Sequence, residues 1–419
     1  MAVVSTLNSV IAEGRWFNWG QLKASIAEKF DLDVIRHRRV MFAAESELHA
    51  ASLVVAGLTA GMDFGIVEIR QVTPQLLDRF YVEGITLSST KTDAKLSRDP
   101  FVSNFKPGRV TVLTSGTTGV PKLIEHSSNS LNTFDRLRNV RPRNWFVPYQ
   151  IGSYAWYQMI FLSLFVDGQS LILGQADDLM GSFDEALKNK RVDAVSATPT
   201  FWRQAAMSIE PEVLSSSGIK SLSLGGEVVD QSILDYLSDM FPDAEIKHIF
   251  ASSETGAAIV VSDRKAGFSA KLLEQDHRKG IELRVDEGRL QILSRYGSCD
   301  KTSEWIDTGD LVELVDDRVY FRGRADNSMI NVGGQKAYPA AIEAVLLEHP
   351  SVLWARVSAQ RAPLVGYLPQ AKVVLSQIRD EQELELVLTS FCEERLPEHA
   401  VPRLWSFLED IPIAKSLKS

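Results

Sequence analysis

Cysteine is scarce in this chain: Cys299 and Cys392 are the two thiols in 419 residues. They make no C-x-x-C pair and no cluster with the seven histidines, so neither a disulfide framework nor a zinc site is expected, and the usage fits a reducing compartment. Long apolar runs are also missing. The most apolar window, Met159 to Val166, stops at Asp167 and is far too short to span a bilayer. The N-terminus carries no basic stretch followed by an apolar core, so no secretory leader is expected. Positive charge is in deficit, with 45 Lys and Arg against 54 Asp and Glu and a formal net charge of −9. That balance argues against nucleic acid held on a basic face. No internal repeat and no low-complexity tract is present. These absences leave a cytoplasmic globular enzyme, with no membrane and no nucleic-acid partner, as the expectation. Apolar (45%) and charged (24%) fractions are ordinary, and the length exceeds one core, so two or more domains are expected.

What is present centres on Val112-Leu-Thr-Ser-Gly-Thr-Thr-Gly-Val-Pro-Lys122. Val110 to Leu113 reads as a strand that breaks into a loop with Gly116, Gly119 and the hydroxyls of Thr114, Ser115, Thr117 and Thr118. Glycine lets backbone N–H groups crowd an anion, because no Cβ blocks the approach. Lys122 adds positive charge, and the combination suits phosphate. The glycines stand too close together for the P-loop or the Rossmann spacing. Ser127 or Ser128 is expected to cap a helix through 129–138.

Around this loop, helix and strand alternate. A helix is expected from Arg15 to about Phe30, a strand over 39–44, a helix over 46–60, a strand over 65–69 and a short helix from Thr73. After the loop come an apolar helix ending near Gly168 and strands over 170–173, 194–198, 219–224 and 246–250, with helices between them. Short antiparallel strands follow over 283–321. That rhythm predicts layered α/β architecture with a largely parallel sheet. A boundary is expected near Gly323–Asp326, dividing a large domain (1–322) with a β-rich end from a small α+β domain (323–419).

The loop wording Thr-Ser-Gly-Thr-Thr-Gly-x-Pro-Lys resembles the signature of the AMP-forming acyl-adenylating enzymes: acyl- and aryl-CoA ligases, luciferases and the adenylation domains of peptide synthetases. Further stretches resemble the same family in the right order. These are Gly225-Gly-Glu227, Phe250-Ala-Ser-Ser-Glu-Thr255, Glu304-Trp-Ile-Asp-Thr-Gly-Asp310, Gly323-Arg-Ala-Asp326 with Ile330-Asn-Val-Gly-Gly334, and the closing Pro412 to Lys418. The loop comes earlier here than in most relatives, so the first subdomain looks abridged. Phe250 and Ala251 replace the family's Tyr and Gly, and Leu417 stands where a Gly is usual.

The resemblance implies a ligase that activates a small-molecule carboxylic acid with ATP and Mg²⁺ and passes the acyl-adenylate to a thiol, CoA or a phosphopantetheine carrier protein. An amine acceptor and a catalytically weak adenylate-binding protein are the alternatives. By resemblance the loop from Thr114 to Gly119, with Lys122, holds ATP phosphates, and Thr118 takes part in catalysis. Gly226, Glu227, Ala251, Ser252 and Ser253 line the nucleotide pocket, Glu254 holds Mg²⁺, and Asp310 and Arg324 approach the ribose. Lys418 is the catalytic lysine, with Lys415 in reserve. Asp326 is the hinge of a mobile lid, and Gly333 and Gly334 leave a path for the thiol. Tyr149, Tyr154, Ala155, Met159 and Gly225 bind the acid. No Asp or Glu occurs between Trp145 and Val166, so an aryl or apolar acyl acid without an α-amino group is expected, since an unpaired buried ammonium costs several kcal/mol. His126 falls where many relatives carry a histidine, and structural and active-site roles are both open for it.

Overall fold

The computed structural model describes residues 8–12, 15–22, 38–88, 106, 108–114, 122–134, 137, 140–274, 280–299, 304–325, 329–362, 366–376 and 381–412. Its largest sheet has eight strands in the order Gly256–Val261, Glu245–Ser252, Ser221–Gly225, Ala194–Ala197, Arg143–Val147, Gln169–Leu173, Ser9–Ala12 and Arg15–Asn18. The inner strands are parallel, and an antiparallel strand closes each edge. A second sheet of five strands runs Thr86–Ser88, Arg39–Ala44, Asp63–Glu68, Arg109–Thr114 and Lys122–Ser127, of which the last is antiparallel.

Helices Glu47–Ala60 and Tyr154–Phe165 lie between these two sheets. Val147, Leu171 and Leu173 from the first sheet and Phe42, Phe64 and Val112 from the second share one core with both helices. That position explains why Tyr154–Phe165 is apolar nearly all round: Trp156, Tyr157, Ile160, Phe161 and Leu164 are fully buried, as a helix covered on both sides requires. The opposite face of the large sheet packs on helices Leu179–Lys188, Pro199–Ser208 and Gln231–Met240 through Phe146, Val195, Leu222, Leu224 and Ile246. Strand period two makes that division. In Ser221-Leu-Ser-Leu-Gly225 the leucines turn to the helices, and Ser221, Ser223 and Gly225 turn the other way.

A third, antiparallel sheet joins Phe268–Ser269, Arg318–Arg324, Ile306–Val315, Arg289–Ser294 and Ile281–Asp286. Phe321 stacks on Phe250 of the large sheet, with ring centroids 4.9 Å apart. The last sheet gathers Gln335–Ala337, Ile330–Val332, Gly366–Leu375, Val352–Ala362 and the parallel strand Leu404–Leu408. Helices Pro339–Leu347 and Glu381–Glu393 share its core through Ile342, Leu346, Leu388 and Cys392. Met207 of the large domain meets Trp354, Val374 and Ile411 at the junction. A large layered α/β domain with a β-rich end and a smaller α+β domain is the architecture the sequence predicts. No helix among the described residues is long and apolar enough to cross a membrane.

Three local expectations are corrected. The helix expected from Arg15 begins only at residue 19, because Arg15-Trp-Phe-Asn18 pairs antiparallel with Ser9–Ala12, a role that suits two consecutive aromatics. The helix expected over 129–138 is the short Ser128–Leu131, capped by Ser127. Gln158 Nε2 donates to the Leu131 carbonyl at 2.8 Å and Thr133 Oγ1 meets Gln158 Oε1 at 2.6 Å, so the chain turns away to Gln158. Lys122–Ser127 and Gly256–Val261 are strands where loop or no element was expected.

Candidate active site

The loop singled out by the sequence is framed by a hairpin. Arg109–Thr114 and Lys122–Ser127 pair in register from Arg109↔Ser127 to Thr114↔Lys122. The loop residues Ser115, Gly116, Thr117, Thr118 and Gly119 lie outside the described residues, as do Asp326, Lys415 and Lys418. The hairpin's root is held by charge. Arg39 Nη2 lies 2.8 Å from Glu125 Oε1 and donates to Thr111 Oγ1 at 3.2 Å, and Arg109 also pairs with Glu125. Arg39 and Asp63 are nearly inaccessible, and Arg39 Nε stands 3.9 Å from Asp63 Oδ1, so the cluster is a buried charge network held by ion pairs.

His126 joins the hairpin to the turn that carries Glu254. Its Nε2 lies 2.7 Å from the Ser253 carbonyl and its Nδ1 lies 3.1 Å from Ser130 Oγ. A carbonyl only accepts, so Nε2 carries the proton. Burial pushes the imidazole pKa down to about 4, against the smaller upward pull of the Ser253 carbonyl and the Glu254 charge, so the ring is neutral near pH 7. The turn is further fixed by Ser252 Oγ, which accepts from Thr255 N at 3.1 Å, and by Ser298 N, which donates to the Glu254 carbonyl at 3.0 Å. Cys299 N donates to the Glu125 carbonyl at 2.8 Å. Glu254 is half-buried, and its carboxylate makes no hydrogen bond or ion pair among the described residues.

A hard divalent cation takes oxygen ligands and, with substrate phosphates, commonly asks one or two carboxylates of the protein. A carboxylate on a turn tied through His126 to the hairpin that bears a glycine- and hydroxyl-rich loop fits that demand. Among the described residues no group of three metal-ligating side chains exists.

Beside this turn opens a cavity of about 830 Å³. Tyr149, Tyr154, Ala155, Met159, Gly225 and Ala251 all line it, together with Gly226, so the five residues expected to bind the acid and two of those expected at the nucleotide converge on one space. They come from the C-terminal ends of parallel strands and the start of the helix between the sheets, where open α/β folds place their ligands. Asp243 and Glu245 are the two carboxylates in its lining, and both lie far from Ala155, at the other edge of the sheet. Ser196 and Ser223 were not anticipated. Tyr149 Oη lies 3.1 Å from Ser196 Oγ, which accepts from Ser223 Oγ at 2.7 Å, giving the apolar cavity a short polar ladder. Burial keeps the Tyr149 phenol protonated far above its ordinary pKa. The alternation Ser-Leu-Ser-Leu-Gly at 221–225 was the signal that could have found Ser223.

Other expected residues lie outside the cavity lining. Glu227 turns back to the N-terminus of Pro199–Ser208, accepting from Thr200 N at 3.1 Å and Thr200 Oγ1 at 2.8 Å; burial raises its pKa against those bonds. Asp310 and Arg324 are cross-strand partners with their charges 3.6 Å apart. Gly333 and Gly334 form the two-residue turn between Ile330–Val332 and Gln335–Ala337, with φ of +57° and +92°. That turn by itself favours glycine, with both φ positive; a Cβ there would meet nothing within 4 Å.

Comparison with known proteins agrees with this geometry. The family model described as AMP-binding enzyme matches residues 73–286, just over half the chain, and that of the AMP-binding enzyme C-terminal domain matches 341–418. A 2-succinylbenzoate–CoA ligase of Bacillus velezensis is 26% identical over 326 residues, covering 71% of this chain and 64% of that ligase. The chain thus spans a little under two thirds of the length of that relative. Among solved structures, o-succinylbenzoate CoA synthetase from Bacillus subtilis in complex with its acyl-adenylate intermediate aligns with a TM-score of 0.67 at 18% identity, covering 100% of this chain and 94% of the other. An anthranilate CoA ligase in complex with anthranoyl-AMP aligns with a TM-score of 0.73 at 15% identity, over 99% and 92%. These likenesses carry the fold, and the matched family carries the assignment: the chain belongs to the family of AMP-binding enzymes.

Proposed function

We propose that this protein is an AMP-forming acid–thiol ligase that activates an aryl or apolar acyl carboxylic acid. One observation carries the reading. The cavity end lined by Gly225, Gly226 and Ala251 opens beside the Glu254 turn, and His126 ties that turn to the hairpin bearing the glycine- and hydroxyl-rich loop. The acid site and the carboxylate therefore share one rim, tied to the base of the hairpin that bears the loop.

The acid's carboxylate oxygen attacks the α-phosphorus of ATP. The bond from that phosphorus to the bridging oxygen breaks, pyrophosphate leaves, and an acyl-adenylate remains. Glu254 would hold Mg²⁺, and the ion would supply charge neutralisation at the phosphates. Tyr154, Ala155 and Met159 exclude water and orient the acyl group, and Tyr149, held by Ser196, positions its hydroxyl at the cavity wall. Asp310 and Arg324 face the ribose. The small domain, from about residue 323, serves as a lid hinged at Asp326. It brings Lys418 to the α-phosphate and, after rotation, leaves the Gly333–Gly334 turn beside the incoming thiol. CoA is the proposed acceptor, in keeping with the names of the CoA ligases it resembles; a carrier-protein phosphopantetheine is the second choice. Two cysteines in 419 residues, with Cys392 outside any disulfide, agree with a reducing, cytoplasmic setting.

The test is product identity. With ATP, Mg²⁺ and a panel of benzoate-like and aliphatic acids, AMP and pyrophosphate are expected, and Glu254→Gln should lower turnover about 100-fold with the fold intact. Release of ADP, or an α-amino acid as the sole active acid, overturns the assignment. Lys418→Ala should cripple adenylate formation while sparing thioester formation from supplied acyl-adenylate. If Lys415→Ala does so instead, the roles of the two lysines exchange.

A further inference from the structure

Away from the rim just described, the cavity does not end under Tyr149. It follows the large sheet back to the N-terminal edge of its strands. Along Ser221–Gly225 it touches Ser221, Ser223 and Gly225, with Lys220 just before them; along Glu245–Ser252 it touches Glu245, Lys247, Ile249 and Ala251. Apart from Leu224, which also borders the cavity, these are alternate residues, so one face of the sheet lines it along both strands. The register Ser221↔Glu245, Ser223↔Lys247 and Gly225↔Ile249 sets them in rows. Lining residues are exposed at both ends, Gly226 at one and Lys220, Arg141 and Glu245 at the other.

The length of this corridor can be read from the strand. Lys220 to Gly225 is five steps, about 16 Å at roughly 3.3 Å per residue. An extended alkyl chain advances about 1.3 Å per carbon on bonds near 1.5 Å, so about a dozen carbons fit. A benzoate-sized acid fills only the rim end. Serine and glycine on the sheet keep the passage open, and Trp145, Met159 and Leu162 give it an apolar wall.

The far mouth is charged. Arg141, Arg143, Lys220 and Lys247 stand there with Asp243 and Glu245, four cations against two carboxylates, in a chain whose net charge is −9. Lys247 Nζ pairs with Glu245 Oε1 at 2.7 Å. Among the described residues the side chains of Arg141 and Lys220 carry no ion pair. A local positive excess at the exit of an apolar corridor is chemistry that recognises an anion at the end of a chain.

We propose that this mouth is a second recognition site, for a carboxylate at the distal end of an elongated acid, so that the substrate class is a chain of about a dozen carbons with an anionic group at each end. The proposal rests on the acid-activating reading above. The proximal carboxylate reacts at the Gly225–Gly226 rim, the apolar middle lies along Ser221 and Ser223, and the distal carboxylate stays at the partly solvated mouth, where its hydration is not wholly lost.

Dodecanedioate and laurate have the same length and differ at one end, with benzoate as the short reference. Binding of each to the full chain is measured by calorimetry, and turnover by pyrophosphate release. Dodecanedioate is expected to exceed laurate in both affinity and kcat/KM by about fivefold, the scale of a partly exposed ion pair. The double variant Lys220→Glu, Arg141→Glu, at two exposed positions, should abolish or reverse that preference. Ser223→Phe should penalise both long acids more than benzoate. Equal behaviour of the two long acids, or a preference unmoved by the charge reversal, overturns the proposal. Turnover of benzoate with no binding of either long acid refutes the distal site and leaves acid activation standing. Binding of dodecanedioate that depends on Lys220, with no pyrophosphate from any acid, refutes acid activation and leaves the site standing.

Discussion

Leu222 and Ser223 are neighbours on one strand and face different worlds. Leu222 is fully buried among Phe146, Phe201, Trp202 and Leu234 under the outer helices, whereas Ser223 looks into a cavity of about 830 Å³. The same alternation runs through Ala194–Ala197, where Val195 packs and Ser196 faces the cavity, and through Glu245–Ser252, where Ile246 packs and Lys247 faces it. Along these three strands one face is thus filled with large apolar groups and the other carries mostly small or polar ones. Stability and binding are separated by the pleat of the strand, one residue apart. A test of this division should therefore give effects of unequal size on the two faces.

The largest effect is expected on the filled face. Phe201 has no exposed surface, and the rings of Phe183, Phe146 and Trp202 lie 5.1, 6.0 and 5.8 Å from its own. Phe201→Ala should cost about 3–5 kcal/mol, because the lost transfer energy adds to that of a void which neighbouring rings cannot collapse into. Denaturant unfolding measures it. A cost below about 1 kcal/mol would mean that the helical face is loosely packed, and the comparison would break.

Next in size is a pH effect at the rim, where the cavity face is held by polar contacts that titrate. The His126 pKa falls from the ordinary 6.5 to about 4, mainly through burial. Between those values the unfolded chain binds a proton that the folded chain refuses. Stability from this group is therefore complete above about pH 6.5 and is lost as pH falls toward 4, by up to about 3 kcal/mol. His126→Gln should flatten that part of the stability–pH curve. Glu47 slopes the other way: burial raises its pKa from 4.5 to about 8, against the hydrogen bond from Trp156 Nε1 at 2.9 Å. The folded chain holds that proton longer, so its contribution is complete below pH 4.5 and fades as pH rises toward 8. Glu47→Gln should remove this opposing slope. A His126→Gln variant with an unaltered acid limb would show that the ring does not seat the Glu254 turn.

How much of this was legible in the sequence depends on whether the cause was local. The strand into the loop, the cap at Thr73 and the helix Glu47–Ala60 follow from patterns within a few residues, whereas the grouping of Tyr154, Ala155 and Met159, which share the cavity, was implied by the family resemblance. Lys122–Ser127 escaped because its pairing with Arg109–Thr114, not its own composition, makes it a strand. Arg39 and Glu125 are far apart in the chain, so their ion pair at the hairpin's root exists only once the sheet has formed. The Gly333–Gly334 pair is expected by resemblance as a passage for a thiol, yet the turn it occupies, with both φ positive, already favours glycine. A void has no residues of its own. The length of the cavity could be seen only when six strands had been laid side by side.

The smallest effect should fall on Ser223 itself. Its hydroxyl donates to Ser196 Oγ at 2.7 Å, and Ser196 in turn meets Tyr149 Oη at 3.1 Å. Ser223→Ala removes one donor from this ladder and leaves Ser196 and Tyr149 to each other, so no buried group loses its last partner. The methyl group that remains borders open space rather than a packed neighbour, so no new void is created. The expected loss is therefore about 1 kcal/mol or less, several times smaller than for Phe201→Ala although both side chains are buried. Paired denaturation curves of the two variants make the measurement. If Ser223→Ala costs as much as Phe201→Ala, the cavity face is bearing load through its hydroxyls, and the division of one sheet into a face for stability and a face for binding fails.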